Sequence, residues 1–395
     1  MMLTATTRPL PHDVDLNDFA GSEGFLFVRD GVGIAGRGIA ARVSAPSVPR
    51  YLSQIVRDDT VGQPGCGPVA IGVLPFRPGT AAGMVIPQVM IGKGPDGHRW
   101  ITTVGDSVEQ VCPFPRPTAQ AASFSVTPGV SIEHYLDAVA GARDAVADGE
   151  VDKVVIARDI IVESDQPLDV HAILLRLRAS FGSSYRYAVD GFIGASPELL
   201  VARHGDVVRS HPLAGTAARV GDPVTDARLA MELMASAKNQ IEHRIVIDVV
   251  HDSLLPYCSY LDWEPEPSIV SVANVQHLGT LIEGRLSDPA TNVLELARML
   301  SPTPALGGHP RDKALALIEE LEGMDRGRYG GAVGWVDSEG NGTWAVAIRC
   351  AELSGDRRSA RLFAGGGIVA ESEPLAELAE TQAKFQAMLS AIIRP

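Results

Sequence analysis

The spacing of hydrophobic and polar residues changes period several times along the chain. Residues 1–20 hold no period and read as a loose N-terminal tail. From Gly24 the apolar residues come in short runs broken by glycine and proline, at 25–28, 38–43, 69–75, 84–91 and 99–104, which predicts strands. Residues 112–128 contain four prolines and read as a linker or crossing loop. Helical spacing begins at Ile132, through Tyr135, Leu136, Val139, Ala142 and Val146, and stops at Asp148-Gly149. A buried-type strand follows at 151–158, then four short strands between 185 and 211 that end in Pro212-Leu213-Ala214-Gly215-Thr216. One long helix is expected over 225–255, with Leu229, Leu233, Ile241, Ile245 and Val249 on its buried side. A strand at 274–282 and helices at 295–300 and 311–321 precede a hairpin that turns at Ser338-Glu339-Gly340-Asn341-Gly342. Its second strand, read as continuous to 351, sets Trp344, Val346, Ile348 and Cys350 on one face and Ala345, Ala347, Arg349 and Ala351 on the other. The chain closes with a helix over 371–393, in which Leu375, Leu378, Ala379, Gln382, Phe385, Leu389 and Ile392 recur at helical spacing on the side expected to pack on the body.

This mixture of strand-rich and helical stretches in 395 residues predicts an α/β (α+β) protein, with 21–120 as a strand-rich part and 121–395 completing one compact unit. A net charge of −14 argues against a nucleic-acid partner, so a small anionic ligand needs a local basic pocket. Cys66, Cys112, Cys258 and Cys350 are isolated, with no metal-type spacing, and suit a reducing cytoplasm. No apolar run approaches membrane-spanning length, and the N-terminus lacks a signal-peptide core. The expectation is a soluble cytoplasmic monomer.

Several groups could carry chemistry. Gly31, Gly33 and Gly36 spell G-x-G-x-x-G, but a dinucleotide site needs a helix at the third glycine, and 38–43 reads as a strand, so a hairpin is expected. Lys153 enters its strand either as a snorkelling surface lysine or as a base in a polar cleft, where desolvation lowers a lysine pKa. Arg349 stands on a floor of small side chains that is either a thin solvated face or room for a ligand. On the last helix Glu373, Glu377, Glu380 and Lys384 form one stripe, which is either a solvated face or, with Glu242 of the upstream Lys238-Glu242-His243 helix, a source of oxygen ligands for a hard divalent cation.

Ten motifs in order over residues 130–390 resemble the chorismate-utilising enzymes, and within them the isochorismate synthases: Lys153-Val-Val-Ile-Ala-Arg158, Ser196-Pro-Glu-Leu-Leu200, Pro212-Leu-Ala-Gly-Thr216, Lys238-Asn-Gln-Ile-Glu-His243, Gln276-His-Leu278, Pro302-Thr-Pro-Ala-Leu-Gly-Gly308, Arg328-Tyr-Gly-Gly331, Ala347-Ile-Arg349, Ala364-Gly-Gly-Gly-Ile368 and Glu377-Leu-Ala-Glu-Thr381. The resemblance implies stacked, mostly antiparallel sheets wrapped by helices, with a central cleft and Mg²⁺ at its floor. It implies Glu242 and Glu380 as direct metal ligands, Glu377 as a ligand through water, and the ion holding the ring carboxylate of chorismate. Arg349 and Tyr329 would grip the enolpyruvyl carboxylate. Gly215, Thr216, Gly366 and Gly367 would supply close donors, and His277 and Lys384 would line the ring.

By the same resemblance Lys153 is the base that activates water for attack at C2 and Glu198 the acid that releases the C4 hydroxyl, giving isochorismate. Both need unusual protonation states, which an enclosed cleft favours. Relatives that make aminodeoxychorismate carry a lysine nucleophile where this chain has Ala214, and anthranilate synthases lack the lysine seen here at 153. Salicylate synthases share the base, acid and metal site, but lyase-active relatives place a threonine near Ala305. The Ser-Pro-Glu-Leu-Leu wording resembles siderophore-pathway enzymes more than those of menaquinone biosynthesis.

Overall fold

The computed structural model describes residues 3–106, 112–117, 122–272 and 275–394. Part of the expected 112–128 linker, and Asn274 at the start of one expected strand, lie outside the described residues. Two large sheets face each other. One has thirteen strands and runs, in spatial order, from Phe124–Pro128 through Lys153–Ser164, Ser359–Ile368, Cys350–Leu353, Phe192–Ser196, Tyr185–Val189, Phe25–Arg29, Val32–Arg37, Val89–Lys93 and Arg99–Val104 to Thr4–Pro9 and Val56–Asp59, with Gly308–His309 alongside Lys153–Ser164. Among the described residues, only the pairing of Thr4–Pro9 with Val56–Asp59 is parallel. The other sheet has nine strands, with the hairpin Ala332–Asp337/Gly342–Val346 near its centre, and a small sheet joins Leu213–Ala218, Val275–Gly279 and Ser268–Ser271.

Aromatic and branched side chains including Phe27, Tyr187, Phe192, Ile71, Val333 and Trp344 fill the space between the two large sheets. The far face of the thirteen-stranded sheet is covered by the helices Val170–Phe181 and Pro374–Ile393, packed through Leu174, Leu177, Phe385 and Met388. Helices Ile132–Ala147 and Arg311–Leu321 cover Val154 and Ile156. The turn between Phe25–Arg29 and Val32–Arg37 is the two residues Asp30 (φ 51°) and Gly31 (φ 77°), whose paired positive φ suits a tight hairpin. The glycine motif is therefore a hairpin, which removes a nucleotide reading.

Several expectations are corrected. Residues 4–9 and 16–20 are not a tail: Thr4–Pro9 is a paired strand and Leu16–Ala20 a helix, because Ala5, Leu16 and Phe19 supply apolar anchors too sparse to show a period. The run 84–91 is two strands in different sheets, Gly83–Ile86 and Val89–Lys93, since Pro87 cannot donate to a ladder. The 274–282 stretch likewise divides between Val275–Gly279 and Ile282–Leu286, in different sheets. Val170–Phe181 is a further helix, beyond those expected from periodicity.

The expected 225–255 helix breaks at Ser236 (φ −73°, ψ 108°), whose hydroxyl caps the second piece, Ala237–Leu254, by accepting from Asn239 N. The break resets the helical phase. Ile241 is exposed, and His243, Val246, Ile247 and Val250 are buried instead.

Three chain crossings between sheets bear on function. The chain leaves the thirteen-stranded sheet for the nine-stranded one at Pro197-Glu198, passes to the small sheet at Pro212, and returns from the nine-stranded to the thirteen-stranded sheet at residues 347–349. The strand expected to continue from Trp344 to Ala351 is thus interrupted where Arg349 takes a left-handed backbone, φ 51°. Such a conformation is uncommon for a non-glycine residue and costs of order 1–3 kcal/mol.

Candidate active site

The crossings meet the glycine run and the last helix around a cavity of about 220 Å³. Of the residues that the resemblance assigns to the site it is lined by all except Gly366: Lys153, Glu198, Gly215, Thr216, Glu242, His277, Ala305, Tyr329, Arg349, Gly367, Glu377, Glu380 and Lys384; Glu373, the first member of the acidic stripe, is exposed and does not line it. Gly366 lies in the wall between lining neighbours.

Strand Ser359–Ile368 forms the floor, and polar side chains stand close over its glycines. A Cβ on Gly365 would come 3.0 Å from the Tyr329 hydroxyl, one on Gly366 2.5 Å from Glu377 Oε2, and one on Gly367 2.7 Å from Glu242 Oε1 and 2.8 Å from Lys153 Cε. Gly365 leaves room for Tyr329, Gly366 for Glu377, and Gly367 for both Glu242 and Lys153.

The acidic stripe is not a solvated face. Glu377 is buried (7 % exposed), whereas Leu375, expected inside, is 71 % exposed. The first half of helix Pro374–Ile393 turns polar residues inward because it packs over the cavity rather than over the core. Glu377 Oε1 accepts from Ser372 Oγ at 2.9 Å, and its carboxyl is pushed up to about 7, first by burial and then by the charge of Glu380.

Glu380 pairs with Lys384 at 2.6 Å, and Lys384 Nζ also donates to Gly365 O at 2.7 Å. Glu242 accepts from Lys153 Nζ at 2.7 Å. Burial pushes the Glu242 carboxyl up, but the charge and hydrogen bond of Lys153 outweigh it and hold the carboxyl below its ordinary range. Among the described residues no three His, Cys, Asp or Glu side chains are gathered closely enough to hold a metal ion. Three carboxylates sharing one wall repel, and each has taken the nearest ammonium or hydroxyl.

On another wall His277 Nδ1 lies 3.1 Å from Gly215 O and 3.2 Å from Thr216 Oγ1, while Arg349 Nη2 lies 3.2 Å from His277 Nε2. A carbonyl only accepts and a guanidinium only donates, so Nδ1 carries the proton and Nε2 the lone pair. Burial first, then Arg349 and Lys384, push the His277 pKa down to about 3, which keeps the ring neutral. Arg349 is 8 % exposed, and among the described residues it has no carboxylate partner. A buried guanidinium without a counter-ion is costly unless a ligand supplies the anion. Tyr329, beside it, is held flat against Phe363, with ring centroids 5.2 Å apart and planes 7° off parallel.

Glu198 is 2 % exposed. Its carboxyl is pushed up to about 8 by burial, against the opposing pull of the Leu213 N–H, Lys153 and Arg349. Lys153 is 1 % exposed and is no snorkelling surface residue. Lys238, Asn239, Leu306, Ile348 and Phe363 also line the cavity. Sequence reasoning left them out of the candidate set, although Lys238-Asn239 and Leu306 sit inside motifs already singled out.

The family model for the chorismate binding enzyme matches residues 84–393. The chain belongs to the chorismate-binding enzymes. A Mycobacterium tuberculosis protein provisionally named as the isochorismate synthase MenF is 43 % identical over 343 residues, 83 % of this chain and 87 % of that one. Isochorismate synthase DhbC of Bacillus subtilis is 38 % identical over 338 residues, 82 % of this chain and 81 % of that one. The solved structure of MenF, the menaquinone-specific isochorismate synthase of Escherichia coli, superposes with a TM-score of 0.82 over 99 % of this chain and 95 % of that one. At 24 % identity it speaks for the fold alone. In this chorismate-binding enzyme no helix among the described residues is long and apolar enough to cross a membrane.

Proposed function

We propose that this chorismate-binding enzyme is a magnesium-dependent isochorismate synthase. The observation that carries the reading is one cavity holding Lys153 together with a buried Glu198 whose carboxyl, at about 8, keeps its proton at neutral pH. Lys153, as the neutral amine, takes a proton from the water that attacks C2 of the ring. Glu198 gives its proton to the hydroxyl leaving C4, so one water is gained and one lost, and the product is an isomer of the substrate.

Arg349, short of an anion and backed by neutral His277, binds the enolpyruvyl carboxylate, with the Tyr329 hydroxyl beside it. Thr216 and the backbone at Gly215, Gly366 and Gly367 supply close contacts, and Lys384 and His277 border the ring.

Glu242, Glu377 and Glu380 fit a hard divalent cation by donor chemistry: they offer carboxylate oxygens on one wall, and the Glu377 carboxyl, raised first by burial and then by the charge of Glu380, is in a setting that a cation would relieve. Bound magnesium would neutralise the ring carboxylate and hold it against that wall. Ala305 borders the cavity without a hydrogen-bonding group, which favours stopping at isochorismate over elimination of pyruvate to salicylate. Isochorismate is a precursor of both siderophores and menaquinone, and we favour the siderophore branch on the Ser-Pro-Glu-Leu-Leu motif. Incubation with chorismate, with and without magnesium, and identification of the product test the reading: no isochorismate in the presence of magnesium overturns it.

A further inference from the structure

Strand Lys153–Ser164 has one edge paired to Ser359–Ile368 from Val154 to Glu163, but its other edge meets strands in two pieces. Gly308–His309 covers Lys153 and Val154, and Phe124–Pro128 covers the stretch from Ile160 to Ser164. In the gap, side chains replace a strand. Arg326 Nη2 donates to Val155 O at 2.7 Å, and Ala157 N donates to Glu322 Oε1 at 2.7 Å. The two side chains are 2 % and 1 % exposed and are joined twice, by Arg326 Nε to Glu322 Oε2 at 2.8 Å and by Arg326 Nη2 to Glu322 Oε1.

Arg326 reaches further. Its Nη1 donates to Leu306 O at 2.8 Å, and its backbone carbonyl accepts from Tyr329 N at 2.9 Å. Its guanidinium lies on the Phe76 ring, 4.2 Å from the centroid. Neither Arg326 nor Glu322 lines the cavity, yet each element they hold ends there: the strand starts at Lys153, the loop carries Ala305 and Leu306, and the turn leads to Tyr329.

We infer that Arg326 and Glu322 are positioning residues for the reaction, holding the 301–308 loop and Tyr329 in register with Lys153; the inference rests on the isochorismate synthase reading. A buried ion pair is weak grounds for a role in stability, since apolar replacements of such pairs are often neutral. Here the planar fork of donors satisfies two backbone carbonyls and a carboxylate at once. The three donors of a lysine radiate from one atom and cannot span them.

The test compares Arg326→Lys and Glu322→Gln with the wild type in amide hydrogen exchange, kcat, KM, and pyruvate released per chorismate consumed. Arg326→Lys should lose protection at Ala157, Leu306 and Tyr329 and keep it in Thr4–Pro9. Its kcat should fall about 10- to 100-fold, the scale of a small misplacement of catalytic groups, with KM little changed and pyruvate release raised. Glu322→Gln, which keeps its size and one acceptor, should show the same pattern more weakly, and it answers the question alone if the lysine variant does not fold. Variants that only melt earlier, with wild-type local exchange, kcat and product partition, overturn the inference. The exchange data do so even if chorismate proves not to be the substrate, an outcome that the wild-type assay reports separately.

Discussion

Lys153 Nζ donates to Glu242 Oε1 at 2.7 Å, tying the start of a strand to a helix 89 residues further along the chain. The proposed reaction gives each partner a second role, the lysine toward water and the glutamate toward a cation. Magnesium should therefore raise the melting temperature, by about 2.7 kcal/mol of stability at one hundred times its Kd, and less so in Glu380→Gln. A melt indifferent to magnesium argues against the metal site. Glu242→Ala, which leaves a buried ammonium unpaired, should cost about 3–5 kcal/mol in urea unfolding.

Lys153→Ala and Glu198→Gln should each lower kcat about 10²- to 10⁴-fold, because each moves a proton in the transition state. Chorismate binding, measured by calorimetry, should survive in both. Near-normal turnover in either variant removes its assigned role.

Glu198 also sets a pH dependence. Its carboxyl titrates at about 8 in the folded protein against an ordinary 4.5, so between these values the native state holds a proton that the unfolded chain has released. Stability should fall as pH rises across that window and level off above it. Glu377, pushed up to about 7, acts with the same sign. Glu198→Gln should flatten the Glu198 share of the slope seen in denaturant melts from pH 5 to 9. In the wild type kcat should decline above about pH 8 as the acid loses its proton, and an undiminished kcat at pH 9 contradicts the role.

Arg349→Ala should act on capture more than on chemistry, since the carboxylate it meets is charged throughout the reaction. The expected loss is about 2–5 kcal/mol in kcat/KM, carried mainly by KM. A pure kcat defect would assign Arg349 differently.

Product fate is the property nearest to one side chain. Wild-type protein with chorismate and magnesium should accumulate isochorismate with little pyruvate, and Ala305→Thr is the substitution expected to raise pyruvate release. Pyruvate formed in step with chorismate loss would make this a salicylate-forming enzyme.

Much of this protein could be read from its residues alone. The period of two in the short strands, the Asp30-Gly31 hairpin, and the helices Ile132–Ala147 and Arg311–Leu321 follow from local preference, and the resemblance of the ordered motifs to a known family named most of the residues that line the cavity. What periodicity could not supply is what lies opposite a residue. It put Leu375 inside and left the Glu377 stripe open to water, because an apolar count assumes an apolar core, and over the glycine floor the interior is polar. It ran one helix through Ser236 and one strand through Arg349, where capping by a side chain and a left-handed backbone redirect the chain between layers. The raised carboxyl of Glu198 and the neutral ring of His277 arise only from burial beside groups distant in sequence, so the tertiary structure alone sets their charge.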